Sequence, residues 1–281
     1  MNLLGHGYPA IDLAMATVLV TGAGRGIGQA TAEAFAARGA KVVLADIDGA
    51  AAEEAARPLP GAQAYELDVR ARPAWDEVVE RVGRIDVLVN NAGVMPIARL
   101  LDESEAVGHT AIDVNVWGLI HGMRAVVPGM VQRGAGHVVN IASIAGKVPI
   151  AGLAIYNASK FAAVGLSGAA RLEFVDAGVS VSAVLPSAVR TTLTSGLQLG
   201  HGLPTVDPSD IADAVVGTCA SRRAEVVVPG YLTGIDATLA VAPERVVKLV
   251  RKVFGSDRAL RGDVDAGRAD YDRRVRSIST D

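Results

Sequence analysis

The chain has 281 residues, half of them hydrophobic and only 4% aromatic, with a formal net charge of -3. That length buries a large core, and the near-neutral charge leaves no electrostatic footprint for nucleic acid. The lone Cys219 forms no intrachain disulfide, which fits a reducing cytoplasm and a small buried hydrophobe.

Residues 1–10 carry Gly5, Gly7 and Pro9 and read as a loose leader, extending to about residue 13. They lack the basic start of a signal peptide, since the first Lys or Arg is Arg25. A β-branched run at 17–20 predicts a strand, followed by a helix over 26–38. A strand at 41–45 leads to a short helix at 49–57, closed by Pro58. Next come a strand at 63–67, a helix at 74–82 and a strand at 86–89. A long helical stretch covers 103–133 and is expected to break near Pro128. Then follow a strand at 137–142, a helix at 153–176, a strand at 180–185, a helix at 208–220 and a strand at 225–228. No apolar run is long and clean enough to span a bilayer.

This alternation means right-handed βαβ crossovers. The predicted fold class is α/β, a Rossmann-type doubly wound parallel sheet of about seven strands flanked by helices. No low-complexity linker divides it, so residues 14–236 read as one domain. After Tyr231 the pattern changes, and 237–281 read as a C-terminal helical extension. Residues 237–242 are apolar. Pro243 opens a run with apolar Val246, Val247, Leu249, Val250, Val253 and Phe254 beside basic Arg245, Lys248, Arg251 and Lys252, stopped by Gly255. Such a face packs on its own domain or a neighbouring subunit, covers a pocket as a lid, or touches a membrane surface through its basic rim, in that order of expectation. From Gly262 the chain is dense in Asp and Arg, and no element is assigned there.

Between the first strand and helix lies Gly22-x-x-x-Gly26-x-Gly28, with Arg25 and Ile27 inside it. Bare glycines permit a tight turn, close approach of backbone to a pyrophosphate, and helix-on-strand packing. The helix N-terminus adds free N–H groups and a positive dipole end. The spacing departs from G-x-G-x-x-G, and alone the turn also reads as an ordinary strand–helix connection. Its place after the first strand favours a dinucleotide. No G-x-x-x-x-G-K-[ST] run exists, and Gly165-Leu166-Ser167-Gly168-Ala169 misses the G-x-S-x-G elbow. Asp46 ends the second strand, where a carboxylate accepts from ribose hydroxyls and repels a 2′-phosphate. Arg25 pulls the other way, toward that phosphate. Asp46 is weighted more, so NAD is expected, with NADP as the alternative.

Tyr156 and Lys160 are four apart in a helical pattern and share one face. An ammonium beside a phenol favours the phenolate and is expected to lower its pKa. The pair suits a general base for an alcohol or a general acid for a carbonyl. Ser143 lies just past the fifth strand, where open parallel sheets place ligands. Each of the three taken alone reads better as a helix-surface or loop residue than as a catalytic one. The five histidines have no zinc-ligand spacing, and no metal is expected.

Together these residues resemble the short-chain dehydrogenase/reductase family over roughly residues 14–228. The resemblance rests on the turn at 21–28, Leu67-Asp68-Val69, Asn90-Asn91-Ala92-Gly93, Asn115, Ser143, and Tyr156-Asn157-Ala158-Ser159-Lys160. It implies that Asp68 and Val69 sit at the adenine and that Asn90, Asn91, Ala92 and Gly93 brace the central sheet beside the cofactor. Asn115 would hold a water in a proton relay to Lys160, which would also bind the nicotinamide ribose. Tyr156 would exchange a proton with substrate, and Ser143 would orient the substrate oxygen. Pro186, Val189 and Thr191 would lie on the nicotinamide side. Ser187 departs from the glycine often found after that proline.

The implied activity is NAD-dependent interconversion of a hydrophobic secondary alcohol and its ketone. Val94, Met95, Ile150, Leu153 and residues 193–203 would line the pocket. The resemblance also implies a homodimer or homotetramer built on the helices at 103–133 and 153–176. The alternatives are a non-catalytic dinucleotide sensor or a membrane-surface scaffold on the same fold.

Overall fold

The β-branched runs pair as strands, and the alanine-rich runs between them cover both faces of the resulting sheet. A computed structural model describes residues 7–194, 205–234 and 266–279. In chain order the elements are β1 (Thr17–Thr21), α1 (Gly26–Ala36), β2 (Lys41–Asp46), α2 (Gly49–Ala56), β3 (Gln63–Glu66), α3 (Arg72–Val82), β4 (Val87–Asn90), α4 (Glu105–Ile112) and α5 (Gly118–Arg133). There follow β5 (Gly136–Ile141), α6 (Ala154–Phe174), β6 (Val179–Pro186), β7 (Ala188–Val189), β8 (Thr205–Val206), α7 (Pro208–Ser221), β9 (Glu225–Val228) and α8 (Ala266–Ile278). The apolar stretch at 237–242, the helical run expected at 243–254 and most of the loop at 193–203 lie outside the described residues.

Seven strands form one parallel sheet in the order β3-β2-β1-β4-β5-β6-β9. The two-residue alternation divides the core. Val18, Val20, Val42, Leu44, Val87 and Val89 face α1, α2 and α7. Leu19, Val43, Ala45, Leu88, Val138 and Val181 face α3, α5, α6 and α8. Burial on both faces is why these strands read as unbroken apolar runs. Among the described residues, no helix is long and apolar enough to cross a membrane.

Three details differ from the sequence expectation. The long helical stretch does not break at Pro128, which lies inside α5. Proline removes one N–H and leaves the carbonyl four residues back unpaired, but here both Pro128 and Arg124 are exposed to water. The irregularity comes instead at Asp113–Trp117, a π turn between α4 and α5. Between the expected strand at 180–185 and the helix at 208–220, where no element was predicted, β7 pairs with β8 in a small second sheet. The expected C-terminal helical extension is present as α8 in the Asp- and Arg-dense tail, whose Tyr271 and Val275 join the core. The end of the expected leader is held as well. The Tyr8 ring lies 5.1 Å from the Arg171 guanidinium, and the Pro9 carbonyl accepts from Arg222 at 2.9 Å.

Beneath the sheet's far half, His137 is fully buried between Ser180 Oγ and Thr218 Oγ1, each 2.8 Å from a ring nitrogen. Burial, with the Arg222 charge adding to it, pushes its pKa down to about 3. The unfolded chain therefore binds more protons between about pH 6.5 and 3, so stability present above that window is lost as pH falls through it. Each pH unit within it should cost about 1.4 kcal/mol. Urea unfolding at pH 7, 6, 5 and 4 checks this. The stability difference between wild type and His137→Gln should shrink steadily with acidification, and a pH-independent difference would refute it.

Candidate active site

The strand order reverses between β1 and β4, and a parallel sheet leaves a crevice at that switch point beyond its carboxyl ends. Here the two strand ends are tied together. Thr21 Oγ1 accepts the N–H groups of Asn91 and Ala92 at 3.0 and 3.1 Å. The Asn91 amide donates back to the Thr21 and Gly22 carbonyls at 2.8 and 3.0 Å. The glycine turn folds over this tie. A side chain on Gly28 would meet the Gly22 carbonyl oxygen at 2.2 Å, and Gly22 itself adopts φ +62° against Ala92. Only bare backbone fits there. Arg25 precedes α1 without a side-chain cap, so the first N–H groups of the helix, around Ile27, have no capping side chain. Bare backbone and an uncapped helix N-terminus fit the pyrophosphate of a dinucleotide.

The two charges weighed against each other at the ribose occupy different positions. Asp46 is nearly buried, and its two oxygens accept the N–H groups of Gly24 and Asp48 at 2.9 and 3.0 Å. Arg25 points to the next carboxylate, with Nη2 2.6 Å from Asp48. Asp68 and Val69 stand on the β3–α3 loop. Asp68 is paired with Arg70 at 2.7 Å, and the Val69 carbonyl accepts the Trp75 indole N–H at 3.0 Å.

Ser143, Tyr156 and Lys160 converge beyond the end of β5. Tyr156 and Lys160 share the buried face of α6. Ser143 Oγ accepts the Ala145 N–H at 3.1 Å, which leaves its own proton for the Tyr156 oxygen, and that bond eases ionisation of the phenol. Lys160 Nζ donates to the Ile141 carbonyl at 2.9 Å and lies 5.7 Å from the Tyr156 ring centre. The lowered phenol pKa expected from the Lys160 ammonium is not what this packing produces. Burial dominates and pushes Tyr156 up to about 12, against the Ser143 hydrogen bond. Burial likewise pushes Lys160 down to about 8.

The π turn places Asn115 against the β4 loop. Its Oδ1 accepts the Val94 N–H at 2.9 Å, and its Nδ2 donates to the Val94 carbonyl and Ser159 Oγ at 2.8 and 3.0 Å. Asn115 and Lys160 both border Gly93, where an added Cβ would come within 3.2 Å of Oδ1 and 3.6 Å of Nζ. On the opposite side β6 ends at Pro186. The Ser187 N–H donates to the Val228 carbonyl at 2.8 Å, so the serine continues the sheet pairing. Thr191 reaches back over the glycine turn, 3.4 Å from where a Gly26 side chain would start. The Val189 side chain belongs to the core, so only its backbone is available to the site.

Met95, Leu153 and Tyr156 form a small apolar cluster with Ile150 and Leu193 against it. Val94 packs instead in the main core. Sequence reasoning gave no role to Asn157. Its amide ties the Ala145 and Val148 carbonyls at 2.6 and 3.0 Å and accepts from Ile150, so it shapes the loop that carries Ser143. It also missed Arg268 and Tyr271 of α8, which reach the Met95 backbone. Their spacing with Val275 is helical and was the available signal.

A model of the short chain dehydrogenase family matches residues 16–200. The chain is 32% identical to rat (Rattus norvegicus) 17-beta-hydroxysteroid dehydrogenase 13, over 84% of this chain and 82% of that one. It is 33% identical to 2,5-dichloro-2,5-cyclohexadiene-1,4-diol dehydrogenase LinX of Sphingobium indicum, over 80% of this chain and 94% of that one. Among solved structures it resembles 3-ketoacyl-(acyl-carrier-protein) reductase from Brucella melitensis complexed with NADH. The TM-score is 0.71 at 30% identity, covering 77% of this chain and 97% of the other. With this sheet order, this glycine turn and these matches, the chain belongs to the short-chain dehydrogenase/reductase family of oxidoreductases.

Proposed function

We propose that this protein interconverts a hydrophobic secondary alcohol and its ketone with NAD, using Tyr156 to exchange the proton. The observation that carries the reading is the convergence of Ser143, Tyr156 and Lys160 at the switch-point crevice, beside an apolar cluster. A bound nicotinamide supplies or accepts the hydride. Tyr156, with its pKa near 12, holds its proton at neutral pH and is ready to donate it to a carbonyl oxygen. The Ser143 hydroxyl and the buried Lys160 ammonium then stabilise the phenolate left behind. Asn115 holds Val94 and, through it, the Gly93 backbone beside Lys160. One lone pair of its Oδ1 is left to hold a water for the relay. Two relatives named for dehydrogenation of a hydroxysteroid and a cyclic diol support an alicyclic alcohol as substrate.

Tyr156→Phe keeps the ring and removes the proton carrier. Turnover of ketones with NADH should fall by at least ~100-fold, the lower end of a general acid's contribution. NADH binding, followed by fluorescence, should persist. Near wild-type turnover would exclude this mechanism and favour the sensor alternative.

The nearly buried Asp46 carboxylate, with Arg25 engaged by Asp48, supports NAD over NADP. Removing the carboxylate in Asp46→Ser should raise the ratio of kcat/KM with NADPH to that with NADH by roughly tenfold, equivalent to about 1.4 kcal/mol of relieved repulsion. A wild-type preference for NADPH would overturn the assignment.

A homo-oligomer is part of the same reading. Trp117, Val131, Phe161 and Leu172 are exposed on and next to α5 and α6, and large apolar side chains exposed on adjoining helices suit a subunit contact. The purified protein should have the mass of a dimer or tetramer at micromolar concentration, and Phe161→Glu with Leu172→Glu should shift it toward monomer. A monomeric wild type would refute this.

A further inference from the structure

The composition of α8 suggests a solvated helix, yet Arg268, Tyr271 and Val275 are buried. Burying the two polar side chains requires partners, and these partners are backbone groups of the two loops flanking Tyr156. The Met95 N–H donates to the Tyr271 oxygen at 2.6 Å. Arg268 donates to the Met95 carbonyl at 3.1 Å and to the Leu193 carbonyl at 3.4 Å, and pairs with Asp272 at 2.8 Å. Its guanidinium lies 4.8 Å from the centre of the Tyr271 ring. At the other end of α8, the Ile278 carbonyl accepts from Arg70 at 2.5 Å. The helix is thus pinned at both ends.

The Met95 and Leu193 side chains belong to the apolar cluster around Tyr156. One planar guanidinium holding both carbonyls fixes the separation of the two loops, because its donors sit in a rigid fork. Burial holds the Tyr271 phenol well above its ordinary range, and the nearness of Tyr156 adds to that effect. We propose that α8 is a wall of the substrate site, and that Arg268 and Tyr271 are positioning residues setting how bulky an alicyclic ketone or alcohol the site accepts. The inference rests on the oxidoreductase reading above.

The test compares wild type with Tyr271→Phe and Arg268→Met on cyclic ketones from cyclohexanone to a fused three-ring ketone, with NADH. Both variants should loosen the loops. The ratio of kcat/KM for the bulkiest ketone to that for cyclohexanone should rise about tenfold, what one methylene of room is worth in an apolar pocket. The change should lie mainly in KM, and hydrogen exchange at the Met95 amide should quicken in Tyr271→Phe. The same size ratio is read from ketone binding by saturation-transfer NMR. If wild type binds these ketones without reducing them, the oxidoreductase reading fails and the wall is judged on the binding ratio alone. An unchanged ratio in Tyr271→Phe, which keeps the buried ring and therefore decides the matter should Arg268→Met not fold, overturns the wall. So does an absence of ketone binding to wild type.

Discussion

The Thr21–Asn91 tie at the switch point is the constraint on which the rest of the site depends. A doubly wound sheet offers a crevice only where neighbouring strands send their chains to opposite faces. Between β1 and β4 that divergence is bridged by four hydrogen bonds from two side chains. They satisfy backbone groups that the ending ladder leaves unpaired. They also hold Ala92 against Gly22, so the glycine turn and the Gly93 loop form a single surface. The uncapped start of α1 and the ammonium of Lys160 are placed relative to each other through that surface.

A second organising fact is the burial of the corner that holds Tyr156 and Lys160. Tyr156 and Lys160 are both buried, so each is driven toward its neutral form. The phenol thereby keeps a proton to give, and the lysine sits close to the pH at which its charge changes. Among the groups described around the phenol, the Ser143 hydroxyl is the one whose hydrogen bond favours its ionised form. Such a fixed group is worth more where water is excluded.

The fold was legible because its signal is periodic. β-branched runs separated by alanine-rich ones leave little freedom in a parallel sheet, and the expected strands all appear, shifted by a residue or so at their ends. The site was legible as a set of residues but not as an environment. Spacing brings Tyr156 and Lys160 to one helix face, yet it does not report burial, and burial reversed the expected direction of the phenol's pKa. Pro128 misled for a related reason, since it lies with Arg124 on the exposed face of α5. The C-terminal extension was expected to be helical, but the buried face of α8 was hidden, because two of the buried side chains described on it are Arg268 and Tyr271. Their burial depends on backbone partners more than 170 residues away in the chain.

The π turn at Asp113–Trp117 has a consequence for how this chain tolerates changes in length. A π turn is a helix carrying one surplus residue. Deleting any one residue there would leave a legal, uninterrupted α-helix from α4 into α5. Because the wide turn already absorbs the surplus residue, everything downstream would keep nearly its present register relative to α4. The change would be confined to the turn itself, where Asn115 makes its two bonds to Val94, while the flanking helices stayed in place. Far-ultraviolet spectra would register an intact protein, and the loss of three nucleotides would be read instead in denaturant stability and in the Gly93 and Lys160 corner that Asn115 borders.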